Sequence, residues 1–216
     1  MKYNQSGIKL FPEFLTLFSL IEQEVQNLSP EQLDYTSTKW GWADWSIRNQ
    51  LSHMASLIPR WLLIRWGDTL FSNNEHGFKN LETIANSPYD RRLNDEIYWE
   101  ISDILKILNQ SISLTISALE KFPTDFFKNS NSIPRDPNEQ WKIMAEAHPS
   151  GVTLSPDYKT STINLEATFR HILFEEITHL YNIQRLKKAQ GLPIVSVVPF
   201  IGYWALDTWD RSEPNS

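Results

Sequence analysis

Apolar residues fall along this chain in four long stretches with the period of an α-helix. In the first, Phe11, Phe14, Leu15, Phe18, Ile21, Val25 and Leu28 line one face, Pro12 sits near the start and Ser29-Pro30 follows, which predicts a helix over 11–28. In the second, Ser46 stands as N-cap and Ile47, Leu51, Met54, Ile58, Trp61 and Leu62 share one side, so a helix is expected to about 66, kinked at Pro59 and ended by Gly67. Asn94-Asp95-Glu96 opens a third, whose stripe runs through Ile97, Ile101, Ile104, Leu105, Leu108, Ile112, Ile116 and Leu119 and stops at Phe122-Pro123. A fourth spans 162–190 and closes on Lys187, Lys188 and Gly191, a basic last turn followed by a C-cap glycine. A short fifth helix is expected over 199–209.

No segment reads as a strand pair and no repeat recurs, so the pattern predicts an all-α fold, a four-helix bundle in one domain over 1–216. The first two helices are joined by about 17 residues and the second and third by about 27, enough to run back along the bundle. That favours a crossover topology with helices two and three parallel. Residues 121–161 carry Pro123, Pro134, Pro137, Pro149 and Pro156 and are expected to form an irregular surface excursion with a little helix over 141–147.

Composition narrows the function classes. With 41% hydrophobic and 21% charged residues, nine Trp and eleven Phe, the chain is a globular, aromatic-rich protein. A net charge of −6 without a basic cluster offers little to a phosphate backbone, so nucleic acid is not an expected partner. The chain has no cysteine, which excludes disulfides, thiolate-held zinc and a thiol nucleophile of its own. MKYNQSGIKL lacks the basic and apolar regions of a signal peptide, and no run approaches a membrane span; a soluble cytoplasmic protein is expected.

The candidate chemistry lies in HILFEEITHLYNIQRL, residues 171–186, where His171, Glu175 and His179 are each four residues apart. On a helical wheel with His171 at zero, Glu175 falls near 40° and His179 near 80°, climbing towards an apolar stripe at about 100° to 180°. His179 is therefore expected to point inward and His171 to lie nearest water. Residues four apart can reach one cation, yet a zinc-like ion that does chemistry needs three protein ligands. His53, on the apolar edge of helix two, is the candidate third. With helices two and four antiparallel, it sits about 10 Å from the start of its helix and His179 about 17 Å from the end of its own, close to one level. His76 and His148 have no such setting. The alternative is that these residues make ordinary i,i+4 pairs on a solvated helix. Glu176, near 140° on the wheel, falls inside the apolar stripe, where a bare carboxylate is costly. It reads as a partner orienting a ligating histidine, as a general base, as the carboxylate ligand in place of Glu175, or as half of a salt bridge to Arg48 or Arg60.

WGWADWSIRNQLSHMASL, residues 40–57, resembles the start of the second helix in the DinB/YfiT-like proteins, where a Trp-Ser cap leads to a metal-binding His. HILFEEITHLYNIQRLKKAQG, residues 171–191, resembles their fourth helix, HxxxHxxxHRGQ with a later Gly. His171, Glu175 and His179 fall on the three His positions, Asn182 on the Gln and Gly191 on the closing Gly. The resemblance implies an up-down-down-up bundle, often homodimeric, holding a divalent metal at His53, Glu175 and His179. It also implies small-thiol-linked transferase or isomerase chemistry, in which the metal activates a low-molecular-weight thiol. Three positions depart from the pattern: Glu175 replaces a His, giving a His2Glu set suited to zinc or to ferrous iron; Leu180-Tyr181 replaces Arg-Gly; and Asn182 is shorter than Gln.

The leading functional expectation is thus an enzyme whose metal, Zn2+ with Ni2+, Mn2+ or Fe2+ as alternatives, activates a water or a small thiol for S-transfer or hydrolysis. Trp42, His171, Asn182 and Tyr203 are the expected substrate-pocket residues. The other expectations are a non-catalytic module binding an apolar ligand or a partner helix, and a purely structural dimer.

Overall fold

The computed structural model describes residues 5–71, 75–130, 133–135, 139–157 and 159–214. Its long helices are α1 (Phe14–Val25), α2 (Ile47–Ile58), α3 (Ile101–Lys121) and α4 (Leu165–Ala189), one for each predicted stretch and each shorter than its apolar pattern. The caps set the starts. Ser46 Oγ accepts from Asn49 N at 3.2 Å at the head of α2, and Asn164 Oδ1 accepts from Ala167 N at 2.8 Å at the head of α4. Asn94 opens only a turn, its carbonyl accepting from Ile97 and Tyr98, and α3 begins later, at Ile101. At Pro59 the expected kink takes the form of a π turn over Pro59–Leu63, in which Ile64 N reaches back to the Pro59 carbonyl at 3.2 Å. Pro59 has no N–H to give the ladder, and the chain resumes its hydrogen bonding in a wider turn.

Packing follows the stripes. Helix α2 packs on α3 and α4, and α1 packs on the same two helices. Phe11 stacks near Phe169 at one end of α4 (centroids 6.3 Å apart), while at the other end Lys187 Nζ meets Glu24 Oε2 at 2.5 Å. Gly7 N donates to the Phe122 carbonyl at 2.9 Å, tying the chain's start to the end of α3; a Cβ at Gly7 would stand 2.2 Å from Phe127 Cε2, so only glycine fits. Every residue of α2 except Asn49 is buried, including Ser52 and Ser56. Their side of the helix is covered by the returning connection: Leu93 N donates to Ser52 Oγ at 3.0 Å, and Ser56 Oγ donates to the Arg91 carbonyl at 2.6 Å.

Two expectations are corrected. The excursion at 121–161 has the helix expected near its middle, Glu139–Ala147, but carries more regular structure besides: a helix Thr124–Lys128 and a three-stranded antiparallel sheet of β1 (Ile133–Arg135), β2 (Val152–Leu154) and β3 (Ser161–Ile163), in the order β1-β3-β2. Strands of three residues leave too short an alternation for a sequence pattern to reveal. The fifth helix is reduced to a 3-10 turn, Tyr203–Ala205, in a C-terminal segment laid over α4. No helix among the described residues is long and apolar enough to cross a membrane.

Candidate metal centre

Helices α2 and α4 bring His53, Glu175 and His179 together, with one ligand atom from each lying within 4.8 Å of the others. His179 Nε2 is 3.4 Å and His53 Nε2 3.9 Å from the same carboxylate oxygen, Glu175 Oε2, and the two imidazole centroids are 4.5 Å apart. The three residues form a cluster able to hold a metal ion.

Each histidine is held by its other nitrogen. His53 Nδ1 lies 3.0 Å from the Arg91 carbonyl, which can only accept, so the hydrogen is on Nδ1 and the lone pair on Nε2. His179 Nδ1 meets Gln50 Oε1, whose amide is oriented by Nε2 donating to the Trp45 carbonyl at 3.5 Å. Both rings therefore present a basic Nε2 towards Glu175 in the tautomer that a cation requires. Nε2 of His53 is buried and has no hydrogen-bond partner among the described residues, a costly arrangement that a bound cation would resolve. This donor set fits a divalent ion.

Electrostatics agree with the geometry. Burial first, then the proximity of His179, pushes the His53 imidazole down to about 4, so it is neutral at pH 7. Burial acts to raise the Glu175 carboxyl, but the imidazoles of His179, His53 and His171 gathered around it outweigh burial and hold the group well below the usual carboxylate range. A carboxylate and two neutral imidazoles are the ligating forms.

Arg91 has a left-handed backbone, φ 54, and its carbonyl accepts from His53, from Ser56 Oγ and, at 2.9 Å, from the Arg60 guanidinium. The strained turn aims one oxygen at three donors. Trp45 packs on both histidines, its ring 5.3 Å from His53 and 6.1 Å from His179, and the Arg91 guanidinium lies 5.6 Å over its outer side. A cleft of about 280 Å3 opens here, lined by Trp42, Trp45, Asp44, Gln50, Asp90, Arg91, His179 and Asn182 among others.

The four expected pocket residues divide. Trp42 and Asn182 line this cleft, Trp42 stacked on Trp40 at 5.0 Å and Asn182 Oδ1 accepting from Arg185 at 2.5 Å. His171 and Tyr203 are not among its lining; they are buried and hydrogen-bonded to each other at 2.7 Å. The expected order of exposure along α4 is reversed: the His171 side chain is 5% exposed and that of His179 12%, because Trp61 and the C-terminal Tyr203 cover His171. His148 also has a defined setting, fully buried with Nε2 3.0 Å from Tyr203 Oη. Glu176 lies outside the ligand cluster, fully buried, and neither of its oxygens has a hydrogen-bond partner among the described residues. Burial and the charge of Glu175 push its carboxyl well above the usual range, favouring the neutral acid. The expected salt bridge is absent, since Arg48 pairs with Asp34 and Arg60 reaches Ser56 and Arg91 carbonyls.

Sequence reasoning passed over Gln50 and Arg91. Gln50 carried the one usable signal, a polar residue one turn before His53 on the same buried face. Comparison with known proteins yields no match to any family model, curated protein or solved structure.

Proposed function

We propose that this chain is a divalent-metal-dependent enzyme of DinB/YfiT-like type, in which His53, Glu175 and His179 hold the ion and the Trp45 cleft admits a small substrate. The observation that carries the reading is the pair of imidazoles whose Nδ1 atoms are tied to Arg91 and Gln50, leaving two Nε2 atoms and Glu175 Oε2 facing one another. A salt-bridged structural helix has no need for two tautomers fixed in this way from two different elements.

A cation bound to three protein donors would supply Lewis-acid activation of a water or small thiol at neutral pH. The chain's own part is to supply one negative and two neutral ligands and to shield them. Trp45 covers the two histidines and keeps water from their ring faces. Asp44, Asp90, Arg91 and Asn182 offer charged and polar contacts at the rim for a substrate that is polar at one end. With no cysteine in the chain, a thiolate has to arrive as a low-molecular-weight cosubstrate. Zn2+ is the first choice of metal for a His2Glu set, with Mn2+, Ni2+ and Fe2+ as alternatives.

The same reading takes the fold as an up-down-down-up bundle. Supporting it, Phe11 and Glu24 of the α1 region meet Phe169 and Lys187 in the same order along α4, whereas Gln50 and Trp66 meet His179 and Thr168 in reversed order. It also takes the protein as cytoplasmic and homodimeric, as the resemblance implies. The test is turnover by full-length protein loaded in turn with Zn2+, Mn2+, Ni2+ and Fe2+, assayed with a thiol plus a chromogenic electrophile and with a chromogenic ester. The reading expects metal-dependent turnover in one assay, abolished in His53→Ala. Metal bound without turnover of either class would favour a ligand-binding role.

A further inference from the structure

The C-terminal segment places a single hydroxyl where two histidines and the carboxylate ligand converge. Tyr203 is 3% exposed; its Oη lies 2.7 Å from His171 Nδ1 and 3.0 Å from His148 Nε2. His171 Nδ1 is in turn 3.9 Å from Glu175 Oε1, whereas the other carboxylate oxygen, Oε2, faces His53 and His179. The two oxygens of Glu175 thus have separate neighbours.

The hydrogen positions follow from charge. A phenol has one hydrogen and cannot donate to both imidazoles. The Glu175 carboxylate beside His171 Nδ1 favours an N–H there over a lone pair, so His171 donates to Tyr203 and Tyr203 donates to His148 Nε2. Burial first, and then Glu175, pushes the Tyr203 phenol well above its usual value, which keeps that hydrogen in place. His171 is also fixed from another side by the edge of Trp61, whose ring centroid is 4.7 Å away and carries the Arg65 guanidinium at 3.8 Å. The backbone delivering Tyr203 is equally constrained: Gly202 has φ 103, and a Cβ there would come within 3.0 Å of the Phe174 carbonyl.

We infer that Tyr203 is a positioning residue for the metal centre: through His171 it keeps Glu175 Oε1 turned towards α4's own first half, so that the carboxylate ligates through Oε2 alone. His148, from the excursion before β2, anchors the Tyr203 hydroxyl. The ligand geometry therefore depends on the docking of the C-terminal segment and of the 148 turn, neither of which contributes a ligand. This inference rests on the metal-binding reading of His53, Glu175 and His179.

The test is titration of Co2+ into metal-free, tag-free, full-length wild type, Tyr203→Phe, His148→Leu and His148→Gln, following affinity and the visible absorption band, with circular dichroism of each metal-free protein. Removing an outer hydrogen-bonding partner of a metal site typically costs about 10–100-fold in affinity. Tyr203 acts one residue further out than such a partner, so Tyr203→Phe is expected to bind Co2+ more weakly by up to about 10-fold, with a less intense band as the released carboxylate turns bidentate and raises the coordination number. His148→Leu should fall between wild type and Tyr203→Phe, and His148→Gln, which can still accept from the phenol, should recover most of the loss. A folded Tyr203→Phe with wild-type affinity and band would overturn the inference; if that variant does not fold, a folded His148→Leu with wild-type affinity and band does so. A wild type that binds no Co2+ fails differently, overturning the metal reading and this inference together.

Discussion

Replacing Gln50 by Leu removes a group that touches no proposed ligand atom and yet should weaken metal binding. Gln50 is 2% exposed and accepts from His179 Nδ1, so the change leaves that N–H without its partner and the ring without its tautomer lock. The side chain of His179 is 12% exposed, and water can restore only part of the loss. An outer partner of this kind is worth about 10–100-fold in metal affinity, or about 1.4–2.7 kcal/mol. The assay is competition for Zn2+ against a chromogenic chelator at pH 7, with urea unfolding of the metal-free proteins as control. Unfolding should report at most about 1–3 kcal/mol for the lost buried hydrogen bond. Gln50→Glu, which sets a carboxylate behind the imidazole, should bind at least as tightly as wild type. A Gln50→Leu protein that is folded and binds Zn2+ with unchanged affinity would refute the assignment of His179 Nε2 as a ligand.

Glu175→His should keep metal binding but shift its preference towards Zn2+ over Mn2+ and Fe2+, since an imidazole replaces a hard oxygen; competition titrations with an unchanged preference would show that the position is not a ligand. Lys187→Met should cost about 3–5 kcal/mol in urea unfolding at pH 7, because Lys187 is the donor to Oε2 of the fully buried Glu24. Burial raises the Glu24 carboxyl, but Lys187, Ser196 and Gln184 outweigh it and lower it overall. In wild type its contribution is therefore present above the ordinary carboxylate range and lost as pH falls through the depressed value, and the deficit of Lys187→Met should shrink on acidification; a deficit that grows would contradict the pairing. Gly202→Ala should destabilise by about 1–3 kcal/mol through its positive φ, with a fall in Tm; an unchanged Tm would show that the turn before Tyr203 is not held as described.

The helices were legible because periodicity survives wherever one face meets a core. Phe14, Ile21 and Val25 on α1, and Ile104, Leu108, Ile112 and Leu119 on α3, are buried as their spacing requires, whereas Leu15 and Ile97, placed on the same stripes, are exposed and Leu17, left off the first stripe, is buried. The His53, Glu175 and His179 cluster was legible for a related reason, since i,i+4 spacing and an antiparallel partner helix fix relative height. What failed to show was everything supplied by distant chain. Ser52 and Ser56 lie off the apolar stripe of α2, and nothing in that stripe shows that residues 91–93 close over them. His148 looked like a loop residue because its partner, Tyr203, is 55 positions away. The inner and outer histidines of α4 were inverted on the wheel for the same reason: a helical wheel knows one helix and nothing of the segment that crosses it. Glu176 was recognised as costly on its own, and its predicted arginine partners are engaged elsewhere.

The most direct test of the central claim is the metal content of full-length protein purified without a polyhistidine tag or chelating column, measured by elemental analysis for wild type and His179→Ala. About one divalent metal per chain is expected in wild type, from the one three-donor cluster among the described residues, with its loss in the variant. Absence of metal from wild type even after incubation with Zn2+, Mn2+, Ni2+ and Fe2+, or equal metal in both proteins, would contradict the claim.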